Sequence, residues 1–438
     1  MRKRSISFLM IVIWLLFGIV QPVAAQGATA KAVVLKAEGP LTPVMVTYIE
    51  RGLRIAAEDN AAVVILKLNT PGGSIDLMNR IVQNIRTSSV PVVVYVSPNG
   101  AMAASAGTLI TLAGHLAAMA PETAIGAASP VGGQGEDIGE TMETKVKEIL
   151  KATTRSLTER RGPRATELAE QSIDKARAVS AKEALEAGLI DYIATDLNDL
   201  LKQIDGQSVL VNGQTKILHT ASLEQYPVAN TLIEEILNML TNPNIVFLLM
   251  SVGVQAILIE LSSPGGWVAG FIGAVCLALA GYGLGILPVN WFGIVFLLIA
   301  FVLFVLDIKA PTHGALTTAG AACFIVGALV LFNSTRTPGF PTVSVPLVIG
   351  VGIFIALSFF AIMTIALRAQ RVPIRTGKES LAGRTGIARD DINPDGNVQV
   401  AAELWSAELA PGSPPIQRGE RVEVVAVEGL RLIVRKQN

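Results

Sequence analysis

The chain has 438 residues, 51% of them apolar and 16% charged, with a mean hydropathy of +0.52, a balance that excludes an ordinary soluble protein of this size and points to membrane spans. Its 35 basic and 35 acidic residues cancel, so no global field draws it to nucleic acid or to acidic substrates. Cys276 and Cys323 lie inside apolar stretches, which suits packing, and the three histidines come without HExxH or paired-cysteine spacing, so neither a metal nor any other cofactor is expected.

Residues 1–25 read as an export signal: Arg2, Lys3 and Arg4, an apolar run from Ile6 to Val20, then the small-residue site Val23-Ala24-Ala25. The mature chain then begins near Gln26. An uncleaved anchor is the alternative, and it leaves the following domain on the same side of the membrane.

Residues 26–203 alternate short apolar runs at 32–35, 62–68 and 92–96 with helical patterns at 43–60 and 75–87, which predicts an α/β domain with a largely parallel sheet. Two strand-end loops, 69–74 and 97–105, fall where ligands sit in open α/β sheets. The first contains Thr70-Pro71-Gly72-Gly73. The second leads into Gly100-Ala-Met-Ala-Ala-Ser105-Ala-Gly107, whose small residues leave room for a substrate strand beside Ser105. A serine hydroxyl attacks a carbonyl only if a base takes its proton and N–H groups receive the charge that develops on oxygen. The pattern therefore offers Ser105 as nucleophile, with the N–H of Gly72 or Gly73 and that of Ala106 as an oxyanion hole. A tightly packed helix after a buried strand gives the same text, so context must decide.

Beyond a Gly-rich stretch at 131–139, residues 140–161 have helical spacing, with Met142, Val146, Ile149, Leu150, Thr153 and Leu157 predicted on one buried face. Lys145 borders that face, while Lys147 and Lys151 point further toward solvent. A lysine acts as a base once desolvation lowers its pKa, so Lys145 is the candidate by position; a solvated surface lysine is the alternative, and the commoner fate, for each of the three. His115 lies ten residues after Ser105 within one predicted helical stretch, its imidazole directed away from the hydroxyl. Residues 179–191 read as a short helix closed by Gly188 and a final strand.

Residues 204–243 read as a connector with a hairpin around 209–218 and an apolar helix near 231–240. Five apolar segments follow within 244–368, at about 245–261, 267–287, 291–308, 315–332 and 345–367, each near the length needed to cross a bilayer. Gly270, Gly273, Gly281, Gly320 and Gly327 suit close packing in lipid. Arg368, Arg371, Arg375 and Lys378 mark the end of the last span as cytoplasmic, as does an exported domain followed by five crossings. Residues 379–438 alternate strands with turn signals and predict a small β-barrel. With nine acidic against seven basic residues and Trp405 as its aromatic, this tail fits protein contact rather than nucleic acid.

Three blocks together resemble the long-form NfeD family, membrane-bound serine proteases of the ClpP class. They are Asn69-Thr-Pro-Gly-Gly-Ser74 with the segment Gly100 to Gly107; Ile259-Glu-Leu-Ser-Ser-Pro-Gly265 with Leu287-Pro-Val-Asn290; and Gly386, Pro394, Gly396, Glu403, Trp405 and Val427-Glu-Gly-Leu430 in the tail. The resemblance implies a ClpP/crotonase-like α/β protease domain, a multi-span helical membrane domain and an OB-fold tail. It also implies a Ser-Lys pair, with Ser105 on the family's serine and, when Arg155-Ser-Leu157 is aligned, Lys145 on its lysine; a small slip in that alignment selects Lys147. The implied activity is endopeptidase cleavage of apolar segments of membrane-associated proteins, with a stomatin-like (SPFH) membrane protein as partner. A homo-oligomer of at least two chains is expected. The alternative is a noncatalytic scaffold that organises SPFH-type proteins through the tail. Two departures stand out: Ala128 precedes Ser129-Pro130 where ClpP carries its histidine, and Ala402 stands where the family often has glycine before Glu403.

Overall fold

The computed structural model describes residues 31–132, 136–262, 266–310, 312, 314–333, 341–370 and 378–437. The predicted export signal, Arg371 and Arg375 lie outside the described residues. Among the described residues of the first 240, most apolar runs become strands and most amphipathic text becomes helices. In order these are β1 (Lys31–Glu38), α1 (Pro43–Glu58), β2 (Val63–Asn69), α2 (Ile75–Arg86), β3 (Val92–Val96), β4 (Met102–Ala104), α3 (Ala106–Ala113), β5 (Leu116–Met119) and β6 (Ala124–Gly126). Then follow α4 (Glu140–Thr158), α5 (Pro163–Asp174), β7 (Ala178–Ser180), α6 (Ala181–Glu186), β8 (Tyr192–Ile193), α7 (Leu197–Gln203), β9 (Ser208–Val211), β10 (Gln214–Ile217), β11 (Glu224–Pro227) and α8 (Leu232–Met239).

Among the described residues the main sheet has six strands, all parallel, in the order β11-β1-β2-β3-β5-β8. Both faces are covered, which is why β3 is buried at every position and reads as an unbroken apolar run. Alternate residues separate the two cores. Leu35, Val64, Leu66, Val94 and Val96 pack with α1, α2 and α3, whereas Ala32, Val63, Ile65, Val93 and Tyr95 pack with α7 and the β9–β10 hairpin. Truncating a fully buried member such as Leu66 to alanine costs about 2–5 kcal/mol. A second, three-stranded sheet, β4-β6-β7, carries the loop of interest.

The segment read as a connector contributes to the sheet. β11 adds to the free edge of β1, and Val209, Val211 and Leu218 of the hairpin join the second core. Its sequence, Glu-Gln-Tyr-Pro, is exposed throughout, so no apolar alternation announces it.

Five apolar helices follow: α9 (Pro243–Ser262), α10 (Val268–Ile286), α11 (Phe292–Lys309), α12 (Ala315–Asn333) and α13 (Val345–Gln370). Among the described residues three, α9, α10 and α12, are long and apolar enough to cross a bilayer; the apolar parts of α11 and α13 are shorter, at Phe292–Asp307 and Val345–Ala361. The helices pair through close backbone approach. A Cβ on Gly273 would lie 2.9 Å from the Gly253 carbonyl oxygen, and one on Gly293 2.6 Å from that of Gly327, so these crossings require glycine. Asp307 on α11 is buried, and its carboxylate accepts from the hydroxyls of Thr312 and of Thr317 on α12.

The tail is a separate compact unit. Its strands β12 (Thr385–Ala388), β13 (Asp395–Val400), β14 (Glu403–Leu409), β15 (Arg421–Glu428) and β16 (Arg431–Lys436) close into a barrel in the order β12-β13-β14-β16-β15, the five-stranded arrangement of an OB-fold. Val398, Val400, Val422, Val424, Leu432 and Val434 fill it. Ala401 and Ala402 form the two-residue turn between β13 and β14 with φ of 52° and 71°. Glycine adopts that geometry freely and alanine does not, so the departure at Ala402 is a strained turn in an intact barrel.

Candidate active site

Ser105 sits between the end of β4 and the first residue of α3, half-buried, with φ 53° and ψ −120°. That conformation is strained for a residue with a side chain and costs about 1–3 kcal/mol, so its surroundings must hold it. They do so through the backbone. The Ser105 N–H donates to Gly126 O at 2.9 Å, while Ala104 N–H donates to Thr70 O and Thr70 N–H to Met102 O, locking β4 between β6 and the glycine loop. Thr108, fully buried on α3, donates from its hydroxyl to Ala103 O and Gly126 O, both at 3.0 Å, and accepts from the Gly126 N–H. Thr108 is a positioning residue absent from the sequence reading; in the text it is one more threonine in a small-residue helix.

By position Ser105 is the N-cap of α3, yet its hydroxyl makes no capping bond. Other helices of this domain use such a side chain: Thr42, Ser74, Ser180, Asp196 and Thr231 all accept from the first helical turn. The hydroxyl is therefore left for other work, which is the arrangement of a strand-to-helix nucleophile turn.

The glycine loop lies directly over it. Gly72 has φ +118°, and a Cβ there would come 2.6 Å from Ser105 Cβ and 3.0 Å from its Oγ. Of the two predicted glycine donors, the structure separates one from the other. The Gly72 N–H is already given to Thr70 Oγ1 at 3.0 Å, whereas among the described residues the N–H groups of Gly73 and Ala106 have no protein acceptor. Ala106 opens α3, so its N–H is one of the orphan donors of a helix start. Leu41 fixes the loop from behind by donating to Gly72 O at 2.9 Å.

The lysines depart from expectation. α3 packs against α4, but the buried face of α4 is Leu150, Thr154, Leu157 and Thr158. Met142 and Ile149 are 55% and 66% exposed, and Lys145, between them on the helix surface, is exposed too and makes no hydrogen bond to Ser105. The apolar spacing of α4 marks two faces, and only one of them packs within the chain. Lys147 and Lys151 are the more buried pair and both are engaged. Lys147 binds Glu143 at 2.6 Å and the Asp174 carbonyl, and Lys151 binds Glu148 at 2.9 Å and Asp174 at 3.2 Å. Among the described residues Lys145 has no ion-pair partner.

His115 takes no part. It follows α3 at the end opposite Ser105, beyond a helix about 12 Å long, and its Nδ1 accepts from the Val92 N–H at 3.0 Å. Burial, together with nearby Arg86 and Arg160, pushes its pKa down to about 4. Ala128, which precedes Ser129-Pro130, is buried and donates its N–H to Ser172 O.

Three family descriptions match successive parts of the chain: the NfeD1b N-terminal domain over residues 33–213, the NfeD integral membrane domain over 244–365 and the NfeD-like C-terminal, partner-binding domain over 378–436. The chain is 37% identical over 421 residues to the membrane-bound protease PH1510 of Pyrococcus horikoshii, covering 94% of this chain and 95% of that one. It is 26% identical over 421 residues to the membrane protein NfeD1b of Bacillus subtilis, covering 90% of each. A solved structure of a membrane-bound stomatin-specific protease, a lysine-to-alanine mutant with a bound substrate peptide, is 35% identical and covers 48% of this chain and 98% of that one, with a TM-score of 0.45. Fold, strained serine and sequence relationship define a membrane-bound serine peptidase of the ClpP fold class. The chain belongs to the NfeD family.

Proposed function

We propose that the protein is an endopeptidase in which Ser105 attacks the scissile carbonyl and Lys145 takes the serine proton and returns it to the leaving amine. The N–H groups of Gly73 and Ala106 hold the oxyanion, and Gly72 provides the close backbone approach. The observation that carries this reading is the strained, uncapped Ser105 beneath the Gly72 turn. Lys145 is favoured over Lys147 because the Lys147 amine is engaged by Glu143 and the Asp174 carbonyl, whereas among the described residues Lys145 has no ion-pair partner and is free to turn to the serine. Lys145 is wet in the unliganded chain. Its drying falls to the substrate: an apolar segment laid over exposed Met142 and Ile149 covers the Lys145 amine that lies between them on the helix.

An extended apolar segment of a membrane-associated protein suits such a surface. The relative's stomatin specificity and the partner-binding description of the tail support a stomatin-like (SPFH) membrane protein as substrate and partner. The proposed layout is an export signal at 1–25, a protease domain on the outer side that runs from 26–203 and is completed by the hairpin and β11 of the segment 204–243, a five-span domain at 244–368 and a cytoplasmic OB-fold tail at 379–438, in an assembly of at least two chains. The test is labelling of the full chain with a fluorophosphonate, followed by mapping of the modified residue. Label on Ser105, lost in Ser105→Ala and slowed at least about 100-fold in Lys145→Ala but retained in Lys147→Ala, supports the assignment. Label elsewhere, or equal labelling of Lys145→Ala and the unaltered chain, refutes it.

A further inference from the structure

α8 is built inside out. Leu232, Ile233, Ile236 and Met239 are 74%, 70%, 45% and 52% exposed, whereas the residue it buries is Glu234, at 5%. Arg51 on α1 holds that carboxylate by two bonds, Nε to Oε1 at 2.9 Å and Nη2 to Oε2 at 2.6 Å, and its Nη2 also donates to Ala229 O. The Thr231 N–H gives Glu234 a further bond as half of a capping box. A helix on a water-washed surface turns its apolar stripe inward; this one turns that stripe outward, beside exposed Glu235, and buries Glu234 instead.

The position of α8 in the chain says what lies against the outward stripe. The first membrane helix, α9, begins at Pro243, three residues after Leu240. The Leu240 carbonyl oxygen lies 2.7 Å from where a Cβ on Gly283 would stand, and Gly283 belongs to the last turn of α10, which ends at Ile286. The end of α8 is thus level with the end of a membrane span. At that depth the surroundings are the boundary between headgroups and acyl chains, where an amphipathic helix lies in the plane with its apolar side down.

We propose that α8 is an in-plane membrane anchor whose Leu232, Ile233, Ile236 and Met239 bed in lipid, with the Arg51–Glu234 pair fastening it to the protease fold. Because α1 carries Arg51 and its entry residue Leu41 holds the Gly72 carbonyl, the anchor sets the height of the Ser105 site above the bilayer. The inference rests on the membrane spans and stands apart from the peptidase chemistry. The experiment uses the full chain with Cys276 and Cys323 replaced by serine, reconstituted in phosphatidylcholine–phosphatidylglycerol vesicles. Nitroxide is placed singly at Leu232→Cys, Ile233→Cys, Ile236→Cys or Met239→Cys, with exposed Leu210→Cys on the β9–β10 hairpin as the aqueous reference. Expected is an oxygen-to-nickel-chelate collision ratio several-fold higher at the α8 positions than at 210. A ratio equal to that at 210, or shielding from both reagents as in contact with a second copy, overturns the proposal. Ile236→Trp in the chain with its own cysteines gives an independent reading: brominated acyl chains should quench the added fluorescence, and absence of quenching counts against lipid contact.

Discussion

Gly72→Ala perturbs the site at the point where backbone and nucleophile are closest. The new Cβ would stand 2.6 Å from Ser105 Cβ, against about 3.4 Å for ordinary contact, so one of the two must yield by roughly 0.8 Å. Thr70 and Leu41 both hold the loop, and Gly126 holds Ser105, so the displacement is shared by elements that are each hydrogen-bonded in place. A misplacement near 1 Å costs on the order of 100-fold in rate, equivalent to about 2.7 kcal/mol in the barrier. The φ of +118° adds a stability cost of about 1–3 kcal/mol. Gly100→Ala separates the two effects: Gly100 has φ +80° and no atom within 4 Å of its absent Cβ, so alanine there strains the backbone without touching Ser105. The assay is kcat/KM on an apolar peptide together with the rate of fluorophosphonate labelling, each beside a thermal melt. Gly72→Ala should lose both activities about 100-fold, while Gly100→Ala melts lower but stays within about twofold of the unaltered chain. Equal activities of the two variants would refute the idea that the glycine loop sits over the nucleophile.

Two further outcomes follow from strained or buried groups. The folded imidazole of His115 is held at about 4 and the unfolded one titrates near 6.5, so between these values the unfolded state binds the extra proton. The stability this group contributes is fully present above pH 6.5 and is lost as pH falls toward 4, amounting to about 2 kcal/mol between pH 6.5 and 5. Urea midpoints at the two pH values should show that loss in the unaltered chain and less of it in His115→Gln, whose amide can still accept from Val92; an identical pH slope in both counts against the assignment. In the barrel, Ala402→Gly relieves one left-handed alanine and should stabilise the tail by about 1 kcal/mol, read as a rise of roughly 4–8 °C in its melting temperature. An unchanged melting temperature would mean that the turn stores no strain.

Much of the architecture is legible as text because its signals are local. The runs at 62–68 and 92–96 are buried on both faces and become β2 and β3, and the helical patterns from Pro43 and Ile75 become α1 and α2 with Thr42 and Ser74 as caps. The small residues around Ser105 and the glycine pair at 72 and 73 likewise announce a place where backbone comes close to something. β11 escapes notice because an exposed edge strand carries no apolar alternation. The inversion of α8 escapes for a related reason: its apolar stripe is plain in the text, but the stripe does not reveal which side faces the protein.

By itself the sequence determined the first three strands and the helices between them, the apolar membrane segments and the identity of the candidate nucleophile, since these depend on residues near one another along the chain. Only the tertiary structure decided that Ser105 is held at φ 53° by Gly126 and Thr70, and that Thr70 consumes the Gly72 N–H and leaves the one on Gly73. It also decided that Lys147 and Lys151 are paired while Lys145 stands open to solvent. Gly126 on Ser105 and Asp174 on Lys147 and Lys151 are partners more than 20 residues away. Even the local partners, Thr70 for Gly72 and Glu143 for Lys147, are chosen by how the folded loop and helix aim their side chains, which spacing along the chain does not state.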